Sequence, residues 1–174
     1  PDGTQVVYTV TYYDVPTNKS KTNLYLISSD GGESKALTEG TGSNFNPRWI
    51  KEGKKIAYIS TKSGEAQLWE MKADGTMPKQ ISFIEGGINS FEFSPDHTHI
   101  LYAKDVKLDK KPNEVYPDLP NVDVRIIDDL MYNHWNQWHD YAYSHIFVAN
   151  YTHEKLESHF DIMEGELWDA PLSA

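Results

Sequence analysis

The residues with the greatest capacity for chemistry crowd into one stretch. Between Asp128 and Tyr141 stand Tyr132, His134, Trp135, Trp138, His139 and Asp140, interleaved with Asn133, Asn136 and Gln137. Aromatic faces with a few polar guides are the usual lining of a binding site. The stretch also reads as structure. Ile127, Leu130, Met131, His134, Trp135, Trp138 and Tyr141 fall at helical spacing. Asp128 suits an N-cap, and Asp129 suits the positive start of a helix. The spacing predicts a short helix over 128–141. Its tryptophans either clamp the stretch to the rest of the fold or line a cavity, and a helix with two faces can do both. On the second reading, Tyr132, Trp135 and Trp138 are the aromatic contacts to a substrate, and His134 and Asp140 the polar ones.

Other chemistry finds less support. The seven histidines invite a metal site. His134 and His139 are five apart, however, which does not place them on one helical face, whereas a spacing of four would. His97 and His99 can share a strand face, but they sit beside a turn. Neither a metal nor a cofactor is expected. There is no cysteine, hence no thiolate chemistry or disulfide framework. No G-x-S-x-G elbow occurs, and nothing reads as a βαβ hydrolase core, so no catalytic residue is expected in this chain. The net charge of −10 argues against nucleic acid or an anionic membrane surface as partner. No apolar run approaches the ~20 residues of a membrane span. The chain opens at Pro1 without a methionine, as a processed or excised piece would. The sequons Asn18-Lys19-Ser20 and Asn150-Tyr151-Thr152 are read as chance occurrences.

The elements that must position these residues repeat along the chain. Phe45 to Phe83 holds four short alternating segments, each ended by Gly, Asp or Pro, and Asp74-Gly75 is a strong hairpin signal. Leu24-Tyr25 recurs as Leu68-Trp69, Asp30-Gly31 as Asp74-Gly75, Leu37 as Ile81, Trp49 as Phe93 and Tyr58 as Tyr102, each at an offset of 44. Four strands per period in the low forties is the signature of β-propeller blades, which must stack to bury their faces. The fold expected is all-β, a partial propeller of four-stranded antiparallel blades. Residues 1–44 make a partial blade lacking its first strand, 45–87 a complete blade, and 88–165 a blade interrupted by an insertion over 105–144. Residues 166–174 link toward a further blade. Ile56, Tyr58, Leu68, Trp69, Phe91, Phe93, Leu101 and Tyr102 should be buried between blades. The open edges of such a segment offer routes to oligomers.

The turn before a strand ending in Ala-Tyr (Gly53 before Ile56-Ala57-Tyr58, and Pro95-Asp96 before Ile100-Leu101-Tyr102-Ala103) resembles the TolB-like, WD-type propeller repeat. The insertion is more specific. Asp128-Asp129-Leu130-Met131-Tyr132, His134-Trp135, Trp138 and Ser144-His145-Ile146-Phe147-Val148-Ala149 resemble the N-terminal propeller of bacterial dipeptidyl-peptidases of the prolyl oligopeptidase family, acylaminoacyl-peptidase-like members included. The resemblance implies a secreted or periplasmic serine peptidase. Its propeller would cover a C-terminal α/β-hydrolase domain, absent from this chain, and would gate and help bind peptides. Family members often carry a basic residue before the His-Trp pair and acidic residues between the tryptophans. Here Asn133, Asn136 and Gln137 stand there, and Asn136 and Gln137 lack the charge to anchor an amine. A TolB-like periplasmic scaffold that binds proteins, with no hydrolase attached, is the alternative. A metal-dependent sugar lyase is a third reading that no motif here matches.

Overall fold

Alternation of buried and exposed positions, cut by turns, makes almost every element a strand. The computed structural model describes residues 2–127, 133–134, 137–138 and 140–170, with backbone alone at 133, 134 and 137. The first sheet holds β1 (Gln5–Asp14), β2 (Lys19–Ser28) and β3 (Lys35–Ala36) in the order β1-β2-β3. The second holds β4 (Asn44–Ile50), β5 (Lys55–Ser63), β6 (Glu65–Lys72) and β7 (Lys79–Gln80) in chain order. The third holds β8 (Ser90–Phe93), β9 (His99–Lys107), β12 (Ala142–Thr152) and β13 (Lys155–Asp161). A separate ribbon pairs β10 (Asn133–His134) with β11 (Gln137–Trp138). All pairings are antiparallel.

Bulky apolar residues stack the three sheets in chain order. Leu24, Leu26 and Leu37 of the first pack on Ile56, Tyr58 and Met71 of the second. On the opposite face of the second, Ala57, Ile59 and Leu68 pack on Phe91, Ile100, Tyr102, Ala149 and Tyr151 of the third. The second sheet is thus buried on both faces, and its strand β5 reads as a continuous apolar run for that reason. Ile56, Tyr58, Leu68, Phe91 and Tyr102 are buried as expected, and Trp69 and Phe93 partly so. Leu101 is not, being 47% exposed. Register aligns it with Val148 and Phe160 on the face of the third sheet turned away from the second.

The helix expected over 128–141 is not what the described residues form. Asn133 pairs with Trp138 and His134 with Gln137 as antiparallel strand partners. An isolated helix of this length is marginal without an apolar face to bury. Among the described residues around it, Val124, Ile126, Ile127 and Trp138 are all solvent-exposed. Among the described residues the one α-helix is α1 (Pro112–Val115), earlier in the same insertion.

Candidate functional site

The connections between the second and third strands of each four-strand unit emerge on one rim. In the first sheet this is the hairpin around Asn18, in the second the tight turn at Gly64, and in the third the long excursion over 108–141. Two of the three are elaborated. The β1–β2 ribbon runs register-perfect from Gln5↔Ser28 to Asp14↔Lys19 and ends in exposed Tyr12, Tyr13 and Val15. The third carries the aromatic stretch.

The root of the insertion is tied down by specific bonds. Backbone N–H groups of Leu108 and Asp109 both donate to the Tyr141 carbonyl, at 3.1 and 3.2 Å. The Tyr143 hydroxyl donates to Asp109 Oδ2 at 2.8 Å. Burial first, then this bond to a carboxylate, pushes the phenol up to about 12, so it stays a donor at neutral pH. Lys107 pairs with both carboxylate oxygens of Glu114 at 2.7 Å, fixing α1 against β9. Farther out, the Arg125 guanidinium lies 5.5 Å from the centroid of the Trp138 ring. That cation–π geometry presents an exposed indole in a set orientation.

Beneath the rim, each sheet anchors its returning loop with a buried polar side chain on the third strand of its unit. In the second sheet this is Gln67. Its Nε2 donates to the Ile84 carbonyl at 2.6 Å, while its Oε1 accepts from Ser82 Oγ at 2.7 Å and from the Ile84 N–H at 3.0 Å. In the first sheet Asn23 takes the same place, 44 residues earlier, and accepts from Thr38 Oγ1 and from Asn44 Nδ2. In the third it is His145, fully buried, with Nδ1 2.8 Å from Asp161 Oδ2 and Nε2 2.9 Å from the Glu166 carbonyl. The preceding residue, Ser144, is closed from the same loop, its N–H donating to Asp169 Oδ1 at 2.8 Å and its carbonyl accepting from the Ala170 N–H at 2.6 Å. Sequence reasoning missed these residues. The signal was their shared place before Leu24, Leu68 and Ile146, but Asn, Gln and His share no residue type to match.

At the opposite end a charge cluster joins the second and third sheets. Lys55 donates to buried Glu70 at 2.6 Å and to Glu154, Lys79 donates to Glu154 at 2.8 Å, and the Tyr151 hydroxyl donates to Glu70. The two lysines hold the Glu154 carboxyl down at about 2. Burial opposes the Lys55 ammonium, yet its two carboxylate partners outweigh that and raise its pKa. Burial, reinforced by Glu70, drives the Tyr151 phenol well above its usual range. On the innermost strands Arg48 Nε meets Glu92 Oε2 at 3.0 Å, again across a 44-residue repeat.

The residues expected to bind substrate fall as follows. Trp138 sits exposed on β11 against Arg125, and Asp140 is exposed beside it. His134 lies on β10 by its backbone, three residues before its ribbon partner Gln137. Tyr132, Trp135 and the side chain of His134 lie outside the described residues. Among the described residues no three His, Asp or Glu side chains group as a metal site would need.

Comparison with known proteins agrees with this geometry. The family model described as the TolB beta propeller domain matches residues 1–152. The chain belongs to the TolB β-propeller family. It is 42% identical over 172 residues to dipeptidyl-peptidase 5 of Porphyromonas endodontalis and 44% identical over 172 residues to that of Porphyromonas gingivalis. Both alignments take in 99% of this chain but 25% of the relative, so the propeller segment spans about a quarter of these peptidases. The acylaminoacyl peptidase of Pyrococcus horikoshii has the same fold over 91% of this chain and 23% of its own, with a TM-score of 0.65 at 19% identity. The sheets of this propeller segment are therefore blades, all-β and antiparallel, with almost no helix.

Proposed function

We propose that this chain is the non-catalytic propeller segment of a secreted or periplasmic serine exopeptidase, which gates and helps bind peptides for a hydrolase domain elsewhere in the same protein. The observation that carries the reading is identity above 40% to dipeptidyl-peptidase 5 along virtually the whole chain, insertion included. The blades are a rigid frame, and the third blade's insertion is the part that meets substrate. Trp138 supplies an aromatic face held by Arg125, and Asp140 supplies charge at the same place. Tyr132, His134 and Trp135 complete the contact set. The catalytic groups, and with them the reaction, belong to the hydrolase.

The test is peptide turnover by the full-length protein. Trp138→Ala should lower kcat/KM by about tenfold, the loss of one stacked aromatic contact worth about 1.4 kcal/mol. The thermal midpoint should stay within a few degrees, because the ring is already in solvent. A large drop in the midpoint with unchanged turnover would make the tryptophan a structural clamp.

A further inference from the structure

The first blade's ribbon forms a groove that the insertion does not explain. A cavity of about 410 Å³ lies between the ribbon tip and the second blade. Tyr13, Ser20, Lys19 and Lys21 line one side, and Ser43 and Thr61 the other. Its floor is kept low by Gly42, where a Cβ would come within 3.0 Å of the Lys62 nitrogen and 3.1 Å of Thr61 Oγ1. Three observations define what fits. First, β3 pairs only with Tyr25 and Leu26 of β2, so the Lys19–Lys21 end of β2 has a strand on one side alone. Such an edge is a template for an added strand. Second, the chain carries a net charge of −10, yet the ribbon bordering the groove carries Lys19 and Lys21 on one face with a single carboxylate, Asp14, beside them. Asp14 is already engaged by Thr17 Oγ1 at 2.6 Å, while neither lysine has an ion-pair partner among the described residues. Third, the exposed rings of Tyr12 and Tyr13 stand on opposite faces of the ribbon and offer apolar cover on either side of a chain laid along its edge.

We propose that this groove takes an extended peptide segment bearing Asp or Glu side chains, laid along the free edge of β2 with its carboxylates toward Lys19 and Lys21. The proposal rests on the peptide-binding reading above and adds a preference to it: the protein favours peptides that are acidic in the portion reaching the first blade. Groove and insertion stand on the same rim, so one extended peptide can touch both.

The experiment measures fluorescence anisotropy of two labelled peptides, one with paired glutamates and one with glutamines in their place. The full-length protein is used with its hydrolase serine blocked by a fluorophosphonate. The glutamate peptide should bind about fivefold more tightly at low salt, the gain of two exposed ion pairs, and the gap should close as salt rises. In the Lys19→Gln/Lys21→Gln variant both peptides should bind equally, while the Trp138→Ala variant should weaken both peptides and keep the gap. Equal binding of the two peptides by the unaltered protein overturns the inference, as does a gap that persists without the lysines. Failure of the fluorophosphonate to react would count against the peptidase reading and leave the peptide comparison standing. Loss of the gap in Trp138→Ala would place the acidic preference in the insertion and overturn the groove assignment.

Discussion

Replacing Gln67 by leucine tests how the blades hold the rim loops. The substitution nearly conserves volume, so the cavity it leaves is small and the effect is chiefly polar. Gln67 is 4% exposed and makes three hydrogen bonds, to the Ile84 carbonyl, the Ile84 N–H and the Ser82 hydroxyl. Ser82 keeps a partner, since its Oγ also accepts from the Leu68 N–H at 2.7 Å. The Ile84 carbonyl also keeps one, the Gly87 N–H at 3.0 Å, whereas the Ile84 N–H is left without a partner, and an orphaned buried group costs about 1–3 kcal/mol. The expected loss is about 2 kcal/mol, a sizeable part of the ~5–15 kcal/mol available to a folded domain. Urea unfolding reads the total. Amide hydrogen exchange reads the location, with protection lost first at Ile84 and its neighbours up to Ile88. A loss under about 0.5 kcal/mol, the size of a surface substitution, would refute the reasoning. So would exchange that rises evenly across all three sheets, because the anchor would then not act on its loop.

Two further outcomes concern the cluster between the second and third blades. Tyr151→Phe removes the hydroxyl donor to the buried Glu70 carboxylate and should cost about 1.5–3 kcal/mol in urea unfolding, with the ring packing on Phe93 retained. Glu154 gives a pH dependence of definite sign. Its carboxyl falls from an ordinary 4.5 to about 2 in the folded chain, so its contribution is fully present above 4.5 and drains away as pH falls toward 2. Glu154→Gln lacks that component, and its stability should fall less than the unaltered chain's across the same window. The effect is moderated by solvent, the side chain being 44% exposed.

The repeat was legible because it is written in residue types that stacking requires. Leu24 and Leu68, or Tyr58 and Tyr102, occupy equivalent buried places and recur at a constant offset. Leu101 misled for the same reason. It has the right type at the right period, being the counterpart of buried Ala57, but it faces away from the second blade. The insertion was misread because spacing reports only which side chains a helix would align. Whether the helix forms depends on a surface to receive them, and Val124, Ile126 and Ile127, leading into the stretch, are exposed. The loop anchors were invisible for a third reason. Asn23, Gln67 and His145 do one job with three functional groups, an amide reaching short, an amide reaching long and an imidazole, so no letter repeats. Of the residues named for substrate, Trp138 and Asp140 stand exposed on the rim, whereas Arg125 under the indole gave no signal in sequence.

The most direct measurement replaces the insertion. Lys107 and Ala142 are already cross-strand partners, so a two-residue Asn-Gly turn can join them in place of residues 108–141. If the insertion carries substrate contact, the full-length protein so altered should retain its far-UV circular dichroism and lose peptide turnover, with kcat/KM down by well over tenfold, or more than about 1.4 kcal/mol of transition-state stabilisation. Turnover within about twofold of the unaltered protein, with the blades intact, would contradict the account and leave the insertion without a part in peptide binding.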